Sequence, residues 1–315
     1  MKPKILVVGS INMDLLLLTP RIPLPGESML SEKYQFGPGG KGANQAVACA
    51  MLGGDTSFVC KTGDDAFGKQ LRESLVAKGI DIRHVSISPG RQSGFCVILL
   101  EEGGNNRLII HRAANLDLCK ADIDAAFMED YDGMVIQFEI AEETVIYACE
   151  LARKKNIPFI ADAGPALDFP LEKIPGPEIL SPNETETAAL CGFTPVTDSE
   201  IAKAAEILQN RSSAKHIVLK MGEKGAIHYK DGKLTHFPAM KVKAADTTAA
   251  GDVFTGALAV KYLTHGDIAR ATEYANIAGA LTVTKAGAQE SIPTAEEVRN
   301  CYISRDILIQ SSPMK

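Results

Sequence analysis

The sequence Asp246-Thr247-Thr248-Ala249-Ala250-Gly251-Asp252 is followed directly by a run of small and apolar residues, Val253 to Val260. The composition of that run predicts a buried helix that begins near Gly251. The first amides of such a helix are free to bind an anion, and the alanines and glycine leave no side chain to cover them. Asp252 would then accept a proton from an alcohol while the amides stabilise a transferring phosphoryl group. The segment predicts a kinase acting on a hydroxyl, and an ordinary N-capping aspartate is the alternative.

A second segment, Gly39-Gly40-Lys41-Gly42-Ala43-Asn44-Gln45, lies far upstream. Together the two segments resemble the two signatures of the ribokinase branch of the PfkB-type sugar kinases. Three further stretches, one before, one between and one after the two segments, continue the resemblance: 8–14, 181–186 and 285–291. The resemblance spans nearly the whole chain. The Gly-Gly-Lys-Gly-Ala-Asn form favours the ribokinase branch over the fructokinase and adenosine kinase branches.

The rest of the chain alternates between predicted strands and helices, which is typical of an α/β protein with a doubly wound, mostly parallel sheet flanked by helices. Helices are expected at about 42–51, 67–78, 142–155, 199–209, 251–263 and 267–285. Strands are expected at about 5–8, 57–60, 133–137, 158–161, 216–220 and 226–229. There is no internal repeat or low-complexity linker, so we expect one ribokinase-like domain over 1–315.

Two stretches, about 14–36 and 94–111, break this alternation and are predicted to form hairpins outside the main sheet. In the second, the apolar runs 95–100 and 108–110 flank a polar turn at 102–106. The resemblance implies that the two hairpins form a small β-sheet lid over the sugar site and make the contact of a homodimer. Their apolar excess agrees, because a small sheet must cover a ligand or a partner subunit.

Composition excludes several classes of function. The chain has 315 residues, a net charge of −6 at pH 7 and a pI near 5.6, without a dense basic run, which argues against nucleic acid as a partner. Its longest apolar stretches are too short to span a bilayer, and the N-terminus lacks the apolar region of a signal peptide. The seven cysteines are scattered and show no zinc spacing, which indicates reduced thiols. These features predict a cytoplasmic protein.

Two glycine-rich segments imitate other nucleotide-binding motifs. The stretch 63–70 nearly fits the Walker A spacing, but Gln70 replaces the hydroxyl that holds Mg²⁺, and two acidic residues would lie in the phosphate cradle. Gly37, Gly39 and Gly42 fit G-x-G-x-x-G, yet the stretch before them is too polar for a central strand. Neither segment is therefore predicted to bind a nucleotide in the manner of these motifs.

The candidate sugar site begins after the first predicted strand. Asn12 and Asp14 follow that strand at its carboxyl end, where ligands bind in open α/β sheets, and both side chains suit hydroxyl groups. An Asx turn is the alternative for these two residues. The resemblance implies the following sugar contacts: Asn12, Asp14, Gly40, Lys41, Asn44, Glu139 and Asp252.

For ATP, the resemblance implies the nucleotide-binding residues Asn183, Glu186, Lys220, Gly222, Gly225, Gly251 and Asn276. The two glycines of the turn 220–225 allow a tight bend on which a base or ribose can rest, although a plain β turn would look the same. By resemblance, Asn183 and Glu186 organise Mg²⁺ and the phosphates through water. Their spacing also fits a helix capping box, and both interpretations can hold together.

A monovalent cation, normally K⁺, is also implied by the resemblance, beside the anion-binding amides. It would fix the loop whose amides face the phosphoryl group. A plain loop is the alternative, since sequence does not reveal carbonyl ligands. The implied ligands are Asp246 and Ser291 and the carbonyls of Thr248, Thr282, Lys285 and Gly287.

The whole pattern implies ATP-dependent conversion of D-ribose to D-ribose 5-phosphate and ADP. Asp252 would be the base, and the amides of Ala249, Ala250 and Gly251 would stabilise the phosphoryl group. The chain departs from the family pattern at two places near the site: 162–165 lacks the usual Asn-Pro start, and 112–115 lacks the usual glycine before Ala-Asn. Related acceptors therefore remain alternatives to ribose: 2-deoxyribose, fructose or a nucleoside. A catalytically silent sugar-binding homologue is the alternative from another class.

Overall fold

The computed structural model describes residues 2–101 and 106–310. The strands are β1 Lys4–Val8, β2 Asn12–Thr19, β3 Lys33–Gly39, β4 Asp55–Gly63, β5 Val85–Ser88, β6 Gly94–Glu101, β7 Asn106–His111, β8 Gly133–Ile136, β9 Phe159–Asp162, β10 Ile179–Ser181, β11 His216–Lys220, β12 Ala226–Lys230 and β13 Lys233–Phe237. The α-helices are α1 Lys41–Met51, α2 Ala66–Ala77, α3 Lys120–Ala126, α4 Glu142–Lys154, α5 Glu184–Cys191, α6 Asp198–Ser212, α7 Ala250–His265, α8 Ile268–Thr282 and α9 Ala295–Gln310. Short 3₁₀ helices occupy Ala113–Asp117, Leu171–Lys173 and Gly222–Lys224.

The main sheet has nine strands in the order β13-β12-β11-β10-β9-β8-β1-β4-β5. Neighbours from β11 to β5 are parallel, and β12 and β13 extend the sheet as an antiparallel edge. The predicted doubly wound, mostly parallel sheet is confirmed. Because the carboxyl ends of the parallel strands lie along one edge, the loops that follow them meet in one place.

Both faces of this sheet are buried by helices. Along β1, Ile5 and Val7 belong to the apolar core that contains α1, α7 and α8, whereas Leu6 and Val8 belong to the core on the opposite face with α4 and α6. Successive side chains of the strand therefore point to opposite faces and contribute to both apolar cores. For this reason the strand is a continuous apolar run, as in other parallel sheets that are buried on both faces.

The strands β3, β2, β6 and β7 form a separate four-stranded sheet, which we call the small sheet. Two antiparallel hairpins, β2–β3 and β6–β7, are joined by parallel pairing of β2 with β6. The predicted hairpins outside the main sheet are thus confirmed, although β2 begins at Asn12, two residues earlier than expected. Of the predicted polar turn at 102–106, residues 102–105 lie outside the described residues.

Most predicted elements agree with the structure to within a few residues. Helix α8 ends at Thr282, three residues before the predicted end, because the chain turns back there and the Lys285 amide bonds to the Thr282 carbonyl. The structure also contains elements that were not predicted from the sequence: α3, α9, β5, β10 and β13. In the described part of the chain, no helix is both long and apolar enough to cross a membrane.

The two imitating motifs have structural roles. Asp65 is the N-cap of α2 and accepts hydrogen bonds from the amides of Gly68 and Ser93, so its carboxylate stands where a P-loop phosphate would lie. Gly37 and Gly39 belong to β3, which pairs with β2 in the small sheet rather than entering a parallel βαβ unit. Their rejection as phosphate-binding motifs therefore agrees with the structure.

Candidate active site

The glycines of the upstream signature bring the start of α1 against the turn that follows β1. A Cβ atom on Gly42 would lie 2.6 Å from the Ser10 nitrogen, and one on Gly40, whose φ is +89°, would lie 2.7 Å from the Asn12 nitrogen. No side chain other than hydrogen fits at these two positions. Lys41 begins the helix, so its side chain starts at the edge of the sheet where the parallel strands end.

Asn12 lies in a buried chain of side-chain hydrogen bonds at this edge. Its Nδ2 donates to Glu139 Oε1 at 2.7 Å, and its Oδ1 accepts from Asn115 Nδ2 at 2.8 Å. Asn115 also accepts from the Ile11 amide and donates to the Ile11 carbonyl, which fixes its orientation. Burial raises the pKa of Glu139 above its ordinary value. An amide and a carboxyl group are thus held rigidly side by side, as recognition of hydroxyl groups requires.

Asp14 stands next to this pair. A Cβ atom on Gly39 would lie 1.9 Å from Asp14 Oδ2, so the glycine makes room for the carboxyl group. Burial, followed by the negative charges of Glu139, Asp252 and Glu290, raises the pKa of Asp14 to about 8. Its Oδ1 is buried without a hydrogen-bond partner among the described residues. An unsatisfied buried oxygen of this kind is suited to a ligand hydroxyl.

Asp252 lies in the first turn of α7 and receives two amide donors from α1. Asn44 Nδ2 is 3.0 Å from its Oδ2, and Gln45 Nε2 is 3.1 Å from its Oδ1. The two helices pack closely because Gly256 has no side chain; a Cβ atom there would lie 2.6 Å from the Ala48 Cβ. This close packing joins two parts of the chain that are more than two hundred residues apart.

Two opposing effects act on the pKa of the buried Asp252 carboxylate. Burial raises its pKa, while the Lys41 ammonium, 3.9 Å from its Oδ1, opposes that increase. Behind it, Gln137 Nε2 donates to Gln45 Oε1 at 2.6 Å, which orients the amide so that its nitrogen faces Asp252. The arrangement holds an oriented carboxyl group of increased basicity, as a general base requires.

The start of α7 agrees only in part with the prediction of three open amides, because the Ala250 amide already has a partner. Ala249 is its N-cap with φ +60°, and the Ala250 amide makes a 3.3 Å bond to the Thr247 carbonyl. The amides of Gly251 and Asp252 belong to the first turn, where a helix offers no carbonyl partner. Gly251 is exposed, so a group in front of the helix can reach these donors.

Three buried charges and the partly buried Lys41 alternate in sign in a group that we call the charge ring: Lys41, Asp162, Lys220 and Glu186. Lys41 Nζ lies 3.4 Å from Asp162 Oδ1 and 3.1 Å from Glu186 Oε1, and Lys220 Nζ lies 2.6 Å from Asp162 Oδ2 and 3.9 Å from Glu186 Oε2. Burial opposes the charged form of Lys41, but the carboxylates of Asp162, Glu186 and Asp252 outweigh it and hold its pKa well above its ordinary value. Burial likewise opposes ionised Asp162, yet Lys220 and Lys41 hold its pKa well below its usual range. The ring joins a predicted sugar residue to predicted nucleotide residues.

The predicted nucleotide residues lie on the β10, β11 and α5 side of the ring. Asn183 caps α5 with Glu186 in a reciprocal capping box, each backbone amide donating to the other side chain at 2.8 Å, so the capping interpretation is confirmed. Gly222 and Gly225 have φ +51° and +96°, and a Cβ atom on Gly225 would lie 2.1 Å from the Phe237 oxygen.

Asn276, on α8, donates from Nδ2 to the Phe237 carbonyl at 2.8 Å. Its side chain therefore fixes the end of β13 beside Gly225. Gly225 and Asn276 thus both lie next to the Phe237 carbonyl. Together they shape the backbone on which the predicted nucleoside would rest.

The structure connects only some of the residues predicted to bind the cation. Asp246 accepts from the Thr248 amide and hydroxyl at 2.9 and 2.7 Å and from the Gly287 amide at 3.0 Å, so these three residues come together. The Thr282 carbonyl accepts from the Lys285 amide, while Ser291 donates to the Ala288 carbonyl at 2.8 Å. Asp246 thus organises a loop directly before α7, and no group of three or more His, Cys, Asp or Glu side chains in the described residues is arranged to hold a metal ion.

Several residues of this site were not predicted as functional. Gln45 lies inside the upstream signature and Gln137 at the end of β8, but glutamine in either position gives no chemical signal by itself. Asn115 and Asp162 were noted only as departures from, or neighbours of, the family pattern. Gln289 donates to Asn44 Oδ1 at 3.3 Å, and its buried Oε1 has no hydrogen-bond partner in the described part of the chain. Each becomes recognisable only through its contacts.

Comparisons with known proteins show the family to which this chain belongs. The model of the pfkB family carbohydrate kinases matches residues 2–295. The ribokinase of Bacillus subtilis is 36% identical over 93% of this chain and 97% of its own length, and the deoxyribokinase of Salmonella typhimurium is 35% identical over 95% and 98%. The structure of Arabidopsis thaliana ribokinase complexed with ribose and ATP superposes with a TM-score of 0.84 at 31% identity, covering 95% of this chain and 98% of that one. The chain therefore belongs to the pfkB family of carbohydrate kinases.

Proposed function

We propose that this protein transfers the γ-phosphoryl group of ATP to the 5-hydroxyl of D-ribose, giving D-ribose 5-phosphate and ADP. The observation that carries the proposal is the position of Asp252, a buried carboxylate that Asn44 and Gln45 hold in place. It lies between the start of α7 and the polar residues Asn12, Asp14 and Glu139. Full-length similarity to ribokinases, including one complexed with ribose and ATP, supports the same acceptor.

On the sugar side, Asn12, Asp14 and Glu139 supply oxygens and an amide for the ring hydroxyls. Gly40 lets the backbone approach the sugar, and Lys41 and Asn44 stand beside the acceptor. Asp252 takes the proton of the primary hydroxyl as that oxygen attacks phosphorus. Burial raises its pKa and so strengthens it as a base, and the amides of Asn44 and Gln45 keep it oriented.

On the phosphate side, the amides of Ala249 and Gly251 face the charge that develops on the transferring group, and the Ala250 amide joins them when it leaves the Thr247 carbonyl. Mg²⁺ entering with ATP would neutralise part of the phosphate charge. The oxygen ligands of Asn183 and Glu186 suit its preference for carboxylate, amide and water oxygens. The turn with Gly222 and Gly225, together with Asn276, would support the nucleoside, and Lys220 lies between that turn and the phosphates.

A monovalent cation, K⁺, is part of the proposal. Asp246 already ties Thr248 to Gly287 immediately before α7, so added charge there would stiffen the loop that aims the amides. The remaining ligands would be Ser291 and the carbonyls of Thr282 and Lys285. Replacing K⁺ by Na⁺ should therefore lower turnover.

We further propose that residues 1–315 form one ribokinase-like domain, with the small sheet as its lid and as the contact of a homodimer. The small sheet exposes large apolar side chains, including Tyr34, Leu108 and Ile109, with Ile109 67% exposed. Covering such a surface is favourable. Sedimentation of Ile109→Asp should show monomers where the native chain shows dimers; unchanged dimers would contradict this contact.

A cytoplasmic location is part of the same proposal. All seven cysteines are free thiols, and Cys49, Cys60, Cys96 and Cys149 are buried. Burial raises the pKa of Cys49 to about 12, which keeps that thiol protonated and unreactive. Such thiols suit a reducing compartment.

A second acceptor, 2-deoxyribose, is favoured by the similarity to a deoxyribokinase, which is as close as that to the ribokinases. The two acceptors differ by one hydroxyl. A site whose buried polar groups pair with that hydroxyl rejects the deoxy sugar strongly, since those groups would be left without partners.

The test is a coupled ADP-release assay with Mg·ATP and K⁺, comparing ribose, 2-deoxyribose, fructose and adenosine. The highest kcat/KM is expected with ribose, and lower turnover is expected in Na⁺. A higher kcat/KM with another sugar would identify that sugar as the preferred acceptor and would leave the proposed phosphoryl transfer unchanged. Absence of turnover with every acceptor would overturn the kinase proposal in favour of a silent sugar-binding protein.

A further inference from the structure

Lys220 is an unusual residue for the last position of a buried strand. Its side chain is only 8% exposed, and its Nζ lies 2.6 Å from Asp162 Oδ2. Withdrawing both charges from water is costly, and apolar residues of similar volume often serve stability equally well. The pair is therefore poorly explained by stability alone.

The position of the ammonium group suggests a different reason. The Lys220 Nζ lies 3.9 Å from the place that a Cβ atom on Gly251 would occupy, next to the exposed first turn of α7. It thus stands beside the amides that face the phosphoryl group in the proposed reaction. The turn that would support the nucleoside begins only after Met221, farther along the chain.

Asp162 is held so that it can position both lysines of the charge ring. The Thr255 hydroxyl donates to its Oδ2 at 2.8 Å and the Gly164 amide donates to its Oδ1 at 3.1 Å. Lys41 approaches Oδ1 and Lys220 approaches Oδ2. Gly164 leaves room for this arrangement, since a Cβ atom there would lie 2.2 Å from the Lys41 Nζ.

We propose that Lys220 is a catalytic residue whose ammonium group contacts the transferring phosphoryl group, and that Asp162 is the positioning residue for both Lys220 and Lys41. This inference rests on the proposed function and deepens it. Lys41, 3.9 Å from Asp252, stands on the acceptor side of the transfer, whereas Lys220 stands on the donor side beside Gly251.

The charges support this assignment. An ammonium group has three N–H donors, and Asp162 engages one from Lys220 at hydrogen-bond distance, which leaves donors for phosphate oxygens. Within the ring, two cations and two carboxylates balance each other before the nucleotide arrives. A triphosphate brings further negative charge to this place, and preorganised cations stabilise it without reorganisation at the moment of reaction.

The first test is Lys220→Met, which removes the charge and keeps most of the side-chain volume. The control is Lys215→Met, because Lys215 immediately precedes the same strand at the opposite edge and pairs with Glu178 on the surface. We expect kcat to fall about 10²-fold, the typical cost of one lost donor to a developing charge, with the KM for ribose changed less than about twofold. The control should retain wild-type kcat.

Calorimetric titration with nucleotides provides a readout besides activity. With Mg²⁺ present, Lys220→Met should weaken binding of a nonhydrolysable ATP analogue more than binding of AMP. A kcat within about threefold of wild type, or an equal loss of affinity for the analogue and AMP, would overturn the assignment. The latter result would place Lys220 at the nucleoside.

A double variant separates charge pairing from chemistry. Lys220→Met alone leaves the buried Asp162 with one cation fewer and should lower the melting temperature; adding Asp162→Asn removes the orphaned charge and should raise it again. We expect kcat to stay low in the double variant. Recovery of kcat together with the melting temperature would mean a structural role only.

Failure of the proposed function gives a different pattern. If the wild type phosphorylates no acceptor, the proposed function fails, but the titrations still decide whether Lys220 faces the phosphates. Loss of discrimination between the ATP analogue and AMP in Lys220→Met would support the contact. An unchanged ratio of the two affinities would refute it.

Discussion

The proposed sugar side and the proposed nucleotide side of the site are built in different ways. On the sugar side, side chains hydrogen-bond directly across long separations in sequence, as between Asn12 and Glu139 or between Asn44 and Asp252. On the nucleotide side, the shape comes from glycine backbone, with Gly222 and Gly225 at positive φ. The difference suits the ligands proposed for the two sides, because a sugar is distinguished by its hydroxyl groups whereas a nucleoside presents flat surfaces to a bent backbone.

The two sides should therefore respond differently to substitution. A change on the sugar side leaves neighbouring polar groups without partners, which costs specific binding and catalysis. A change on the nucleotide side alters the path of the backbone, which affects stability together with nucleotide affinity.

Asp252→Asn should give the largest change. The side chain keeps its size but loses its ability to accept a proton, so kcat should fall at least about 10²-fold while the Kd for ribose stays within a few-fold. Steady-state kinetics and calorimetry with ribose measure the two effects. Asp267→Asn, at the N-cap of the next helix, is the matched control and should retain kcat. Near-normal kcat in Asp252→Asn would remove this residue from the base role.

Gly225→Ala should damage the nucleotide side through the backbone. Its φ of +96° disfavours alanine, and the new Cβ would lie 2.1 Å from the Phe237 oxygen. We expect a loss of about 2–3 kcal/mol in the free energy of unfolding, measured with urea, and an increased KM for ATP. Gly232→Ala separates the two causes, because its φ is +86° but no atom lies within 4 Å of the added Cβ. Equal losses in the two variants would mean that the collision with Phe237 is unimportant.

Asp14→Asn should change how stability depends on pH. The pKa of Asp14 is raised to about 8 in the folded protein, against 3.8 as its ordinary value, so between those values the folded state binds more protons than the unfolded state. Stability of the native protein therefore falls as pH rises through this window. Urea unfolding of the ligand-free protein from pH 4.5 to about 8.5 should show a shallower decline in the variant. Parallel curves would show that Asp14 does not titrate in this range.

Ala113→Gly should have the smallest effect, and an opposite sign. Ala113 has φ +43°, a backbone conformation that glycine adopts without strain. Glycine relieves that strain, so the free energy of unfolding should rise by up to about 1 kcal/mol without a change in ribose affinity. Ala114→Gly, at the next buried position, is the control and should lower stability. A loss of stability in Ala113→Gly would mean that packing of the buried methyl group outweighs the strain.

Much of the fold was predictable because it depends on short-range patterns. Two buried elements were predicted at nearly their observed positions: the strand from the continuous apolar run 5–8, and the helix from the small residues after Gly251. Helix α9 was not predicted, and the three-residue strand β10 is too short to give a period. The two hairpins were recognised by contrast with the rest of the chain, but the parallel pairing of β2 with β6 that makes them one sheet is a long-range contact.

The site divides in the same manner. The sequence by itself determined the family, through the two signatures, and that resemblance predicted which residues carry the chemistry. Only the tertiary structure decided how they are connected: that Gln45 and Gln137 orient Asp252, and that Asp162 holds Lys41 and Lys220 together. The physical reason is that hydrogen bonds and ion pairs depend on distances of about 3 Å between atoms, and such distances arise from the packing of whole helices and strands.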